Sequence, residues 1–140
     1  MARILAIDYG QKRTGLAVTD PLRITANPLL TIDTANLRSW LQTELAKGEI
    51  DTVVIGKPTQ LNGADSDSMR YIKPFMDWFR VTFPAIPLVE YDERFTSTLA
   101  HQAMIAGGMK KSQRRDKAVV DKLAACIILE GYLDNTSLQQ

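Results

Sequence analysis

The chain has 140 residues, 45% of them hydrophobic, which is material for one core and falls short of two ordinary domains. Seventeen Lys and Arg stand against sixteen Asp and Glu, and a formal charge of +1 excludes both a histone-like electrostatic binder and an acidic scaffold. A single Cys126 and a single His101 exclude an internal disulfide framework and argue against zinc chemistry built on Cys or His.

From Arg3, the unbroken apolar run Ile4-Leu5-Ala6-Ile7 predicts a strand buried on both faces, and it stops at Asp8. The polar connection Tyr9 to Arg13 is short enough to return an antiparallel strand, Thr14 to Thr19, ended by Asp20-Pro21. A third extended piece, Ile24 to Ile32, contains Pro28 and therefore suits an outer position, where a missing N–H does no harm. The opening reads as a three-stranded meander.

Leu37, Trp40, Leu41 and Leu45 have helical spacing, with Asn36 as the expected N-cap and Gly48 as the stop. Thr52 to Ile55 is the next strand, ending at Gly56, so the intervening helix implies a right-handed parallel crossover. The pattern repeats. Met69, Ile72, Phe75, Met76 and Phe79 predict a second helix, entered from Asp65-Ser66-Asp67-Ser68, with Pro74 either kinking it or delaying its start. A strand at Ile86 to Tyr91 follows, then helices over about Thr96 to Ala106 and Asp116 to Leu133. In the last helix Val120, Leu123, Ala124, Ile127 and Ile128 form the expected sheet-facing stripe, with Asp121 at its flank and Lys117 one turn earlier as its possible partner. One domain over residues 1–136 is expected, with a flexible tail at 137–140. No apolar run approaches the roughly 18 residues that cross a bilayer, and the start reads as a strand rather than a leader. The expectation is a soluble cytoplasmic protein with no membrane partner.

In this α/β arrangement, a mixed sheet of five strands flanked by helices, the first, fourth and fifth strands run parallel, and their carboxyl ends share the edge where such folds open a ligand crevice. Asp8, Gly56-Lys57 and Asp92-Glu93 fall there. If Asp121 reaches the same edge, Asp8, Glu93 and Asp121 form a set of hard oxygen donors of the kind Mg²⁺ or Mn²⁺ takes, and two such ions activate water and stabilise the leaving alkoxide in phosphodiester cleavage. The bland alternative is that an Asp at a strand end is only a cap. Lys110, Lys111, Arg114, Arg115 and Lys117 against Asp116 form the strongest local charge in the chain, and their place before the helix bearing Asp121 favours phosphate contact over a merely solvated helix entry. Lys12 and Arg13, in the turn after Asp8, extend the same basic rim. Arg94 beside Glu93 either holds that carboxylate, contacts a phosphate, or is a surface ion pair. Thr96, Ser97 and Thr98 read as helix caps, Cys126 as a small core residue, and His101 as surface. Gly56-Lys57-Pro58-Thr59 is not the tail of a P-loop, because the upstream glycine is absent and Pro58 stands where Ser or Thr belongs.

Ile7-Asp8-Tyr9-Gly10, Gly15-Leu16-Ala17-Val18, Gly56-Lys57-Pro58 with Asn62-Gly63, Asp92 to Thr98 and Asp121 to Ala125 together resemble the YqgF family over nearly the whole chain. The resemblance implies a ribonuclease H-like fold and a nuclease associated with Holliday-junction resolution and with maturation of the 5′ end of pre-16S ribosomal RNA. Its metal-binding acids correspond to Asp8, Glu93 and Asp121. The family more often has an apolar residue where Lys57 stands, which leaves the contacts of that loop open. Two rivals remain to be weighed. An actin- or hexokinase-like phosphotransferase also opens with a strand, Asp-x-Gly and a hairpin, yet needs two such domains. A non-catalytic nucleic-acid-binding module has no need of all three acids. One compact basic segment on a nearly neutral chain favours a single-stranded RNA leader over a four-way DNA junction, and the expected state is a monomer or a homodimer.

Overall fold

The structure, a computed structural model, describes residues 2–57, 69–92 and 117–138, and within these the side chains of 92, 117–122 and 135–138 are not described. Strands β1 (Arg3–Asp8), β2 (Arg13–Thr19), β3 (Ala26–Asp33), β4 (Ile50–Lys57) and β5 (Leu88–Asp92) form one sheet in the order β3-β2-β1-β4-β5. β1 pairs antiparallel with β2, and β2 with β3, while β1, β4 and β5 run parallel. This is the expected meander followed by two parallel additions. The short Tyr9–Lys12 connection permits only an antiparallel return, whereas helices α1 (Leu37–Leu45) and α2 (Met69–Thr82) supply the long crossovers that parallel neighbours require. The expected helix over 96–106 and its cap residues lie outside the described residues.

Alternation along β1 divides the core. Leu5 and Ile7 face α1 and α2 together with Leu16, Val53 and Ile55; Ile4 and Ala6 face the opposite side, with Ala17 and Val54. On the first side α2 buries Ile72, Phe75, Met76 and Phe79, a single helical stripe. Full burial of an aromatic such as Phe79 contributes about 1.5–3 kcal/mol. Pro74 lies inside α2 on its exposed side, so the helix does not start late. On the second side the third helix, α3 (Lys117–Leu138), covers the sheet with Ala125, Cys126, Ile128 and Leu129.

Three local expectations are corrected. Asn36 is helical in conformation and makes no side-chain cap; a 3₁₀ turn, Thr34–Asn36, leads into α1 instead. Gly48 does close the exit, in the left-handed region at φ 74°, two residues later than an immediate C-cap would be. The buried stripe of α3 is also turned relative to expectation: Leu123, Ala124 and Ile127 keep partial exposure, and Ala125, Cys126, Ile128 and Leu129 are the buried set. Residues 123–129 are apolar throughout, so periodicity cannot orient the helix; packing decides it, with Ala125 buried in one cluster with the small Ala6 and Ala17 of the sheet. α3 also continues to Leu138 rather than ending near Leu133.

β3 forms one edge of the sheet, as Pro28 implied. Its pairing slips between Leu16↔Leu30 and Ala17↔Pro28, so Leu29 is an extra residue, a bulge beside the proline. A second irregularity between Arg3↔Ile50 and Ile4↔Thr52 leaves Asp51 unmatched on β4, and its carboxylate pairs with Arg23. Arg23 sits at φ 59° in the β2–β3 turn, a conformation an L-residue adopts at a cost. Asp20 offsets that cost by accepting the backbone N–H groups of Leu22, Ile24 and Thr25.

Candidate active site at the carboxyl edge of the parallel strands

Asp8 is the last residue of β1 and is half-buried. The series Ile4, Ala6, Asp8 continues along the α3 side of the sheet, while its neighbour Tyr9 goes to the other side, where its ring lies 5.0 Å from that of Phe75. β1 ends level with the carboxyl ends of its parallel neighbours: Ile7 is opposite Ile55, Ile55 opposite Glu90, and Lys57 opposite Asp92. Asp8 therefore shares a level with Gly56 and Tyr91, and the chain leaves β5 toward Glu93 from that same edge. Glu93, Arg94, Lys110, Lys111, Arg114 and Arg115 lie outside the described residues.

Asp121 lies in the second turn of α3, at the head of the row Asp121, Ala125, Ile128, Leu129, whose last three members meet Ile4 and Ala6 of β1. Asp121 thus stands one helical turn before Ala125, the first described residue of the sheet-facing row. Farther along the helix, Cys126 donates to the carbonyl oxygen of Ala26 at 3.3 Å, and Glu130, Leu133 and Asp134 line a cavity of about 520 Å³ with Ile24 to Asn27. That is the end of the sheet where β1 begins, since Thr19, paired with Ala26, accepts the N–H of Ile4. The side chains of Lys117 and Asp121 are not described.

The loop after Asp8 is tied down by a residue that pattern reading did not single out. Thr34 donates its N–H to the carbonyl of Lys12 at 2.9 Å and its hydroxyl to the carbonyl of Gly10 at 2.6 Å. The same hydroxyl oxygen lies 2.9 Å from that of Thr14, which is fully buried. Gly10 is required on steric grounds, because a Cβ there would strike the carbonyl of Arg13. Lys12 is exposed on this fixed turn, and Arg13, half-buried, opens β2.

The donor chemistry at this edge suits a hard divalent cation: the acid that is described offers carboxylate oxygen, and the one cysteine is kept away from metal chemistry. Burial first, and the nearby Glu130 second, push the Cys126 thiol up to about 11, so its sulfur stays protonated near neutrality. Among the described side chains no three acids, histidines or cysteines gather.

A family model described as RuvX, Holliday junction resolvase, matches residues 2–135. The chain belongs to the RuvX family. Relatives agree over nearly full length. A protein of Phocaeicola vulgatus named "Putative pre-16S rRNA nuclease" is 50% identical over 135 residues, covering 96% of this chain and 97% of that protein. A protein of Porphyromonas gingivalis with the same name is 48% identical, covering 96% and 98%. Among solved structures, Thermus thermophilus RuvC in complex with a Holliday junction substrate superposes with a TM-score of 0.55 at 17% identity, covering 96% of each chain. That likeness establishes the ribonuclease H-like fold for this RuvX chain.

Proposed function

We propose that this RuvX-family chain is a metal-dependent nuclease that hydrolyses phosphodiester bonds and that its substrate is the 5′ leader of pre-16S rRNA. The observation that carries the reading is the placement of Asp8: it ends β1 at the carboxyl edge and continues the series Ile4, Ala6 that packs against α3, the helix that carries Asp121. Glu93, the residue after the end of β5 in the sequence, would complete the acid set.

Asp8, Glu93 and Asp121 are the residues that would hold Mg²⁺ or Mn²⁺, two ions in the full reading, which when bound polarise the phosphodiester and lower the pKa of water. The chain's own part is to carry Asp8 on a strand and Asp121 on a helix, elements that hold a side chain's spacing better than a loop does. Lys12, Arg13 and Arg94 near the acids, and Lys110, Lys111, Arg114, Arg115 and Lys117 before α3, hold substrate phosphates. The catalytic unit is one domain over residues 1–136 and works in the cytoplasm; among the described residues no helix is long and apolar enough to cross a membrane.

The names carried by relatives at 48–50% identity favour RNA, and the near-neutral charge favours a substrate that needs few phosphate contacts. The test sets a 5′-labelled pre-16S leader beside a synthetic four-way DNA junction, with Mg²⁺ or Mn²⁺ and with molar mass measured in the same buffer. The wild-type chain cuts the leader as a monomer, and Asp8→Asn, Glu93→Gln and Asp121→Asn each lose cleavage while staying folded. Any pair of these substitutions is little worse than one, since ligands of one cluster act as a unit. Normal metal-dependent turnover by Asp8→Asn defeats the assignment. A dimer that cuts junctions symmetrically and spares the leader replaces the substrate and keeps the acids.

A further inference from the structure

We propose that Thr34 is a positioning residue of this site: through the Tyr9–Lys12 turn it fixes the Asp8 carboxylate for metal binding, an inference that rests on the reading of Asp8 as a metal-holding acid.

The turn has no regular secondary structure of its own, yet two of its carbonyls, with the Thr14 hydroxyl of β2, converge on one side chain and its backbone. Thr34 gives its N–H to Lys12 and its hydroxyl proton to Gly10, two residues after Asp8. A carbonyl only accepts, so the single Thr34 proton is committed to Gly10, and the short contact with Thr14 is a bond donated by the Thr14 hydroxyl. Thr14 precedes Gly15, the cross-strand partner of Asp8. The clamp thus grips the chain on both sides of Asp8: the turn that follows it and the strand that pairs with it. Gly10 leaves the turn no slack, because its Cα lies against the Arg13 carbonyl with no room for a side chain. Thr34 itself is set by the 3₁₀ turn that follows the end of β3, so the bulged edge strand, and not the loop, supplies the anchor.

Thr34→Val keeps the branched shape and the backbone N–H, and strips partners from the Gly10 carbonyl and the Thr14 hydroxyl. Thr34→Ser keeps the hydroxyl. Mn²⁺ affinity of the substrate-free protein, read by electron paramagnetic resonance of free Mn²⁺, is measured beside kcat and KM on the RNA leader. Thr34→Val is expected to weaken Mn²⁺ binding and to lower kcat by about ten-fold each, the scale on which partners that orient metal ligands act. KM stays within about two-fold, and Thr34→Ser restores both quantities. Leu45→Ala, which opens the core far from the turn, lowers the melting temperature and leaves Mn²⁺ affinity in place. Should Thr34→Val fail to fold, Thr14→Val removes only the donated bond and shifts both quantities in the same direction by less. Wild-type Mn²⁺ affinity in the folded valine variant, or an equal loss in Leu45→Ala, overturns the inference. Asp8→Asn is run in parallel: if it keeps Mn²⁺ affinity and cleavage, the reading of Asp8 fails instead.

Discussion

Cys126 shows how one side chain reports on the seam between α3 and the sheet. Its thiol, ordinarily near 9.0, is pushed up to about 11 by burial and by Glu130. The protonated form is therefore the one the fold favours: its contribution is whole below pH 9, where the unfolded thiol is also protonated, and is lost as pH rises through about 11. Denaturation across this window shows stability falling with pH, and Cys126→Ala flattens that fall; an identical pH slope in the variant places the titrating group elsewhere. The buried role of Cys126 was legible in the sequence because it interrupts an apolar run and nothing near it offers a second ligand. Thr34 was not legible: its partners are 20 and 24 residues away, and no local spacing encodes a hydroxyl meeting a carbonyl across a meander. The place of Asp8 at the end of β1 was legible because it stops an unbroken apolar run, while its role as a metal-holding acid, like Glu93 and the basic residues 110–115, rests on sequence and resemblance.

Among elements, strands were easier to read than helix faces. β1 announces itself by four consecutive buried apolar residues, and β4 by Val53-Val54-Ile55. Residues 123–129 of α3 are apolar throughout, so the sheet and not the helix's own pattern orients that stretch, and that is why its stripe was misplaced. Its orientation is also held at Gly131, where a Cβ would collide with the hydroxyl of Tyr91. Gly131→Ala is expected to cost about 1–3 kcal/mol by overpacking, read from chemical denaturation. Tyr91→Phe in the same chain returns part of that loss by removing the hydroxyl, the nearest of the struck atoms, while the ring carbon that carried it still has to shift. If the double variant is no better than Gly131→Ala alone, the contact is not what positions the helix. Because Asp121 rides on α3, the single variant also lowers cleavage, and the double variant recovers it in proportion.

For the whole molecule, charge is the quantity that sets behaviour. A formal charge of +1 supplies no long-range attraction, so on the proposed function affinity for a polyanion is expected from the local basic segment 110–117 and the turn at Lys12. Replacing Lys110, Lys111, Arg114 and Arg115 with Ala weakens binding to all RNA sequences alike, and each lost contact lowers the slope of log K against log salt by about 0.7 on a single strand. An unchanged slope returns the segment to plain solvation. The layered architecture was readable at this scale because three short-linked strands followed by two strands with long crossovers admit few arrangements.

The bulge at Leu29 and the missing donor at Pro28 govern how this particle meets others of its kind. A sheet grows when an outermost strand shows an incoming chain an unbroken ladder of donors and acceptors. Here the outward rhythm is broken midway along β3, and the ladder resumes only as two short stubs. An incoming copy therefore meets an interrupted template on the β3 side, where a smoother strand would offer a continuous one.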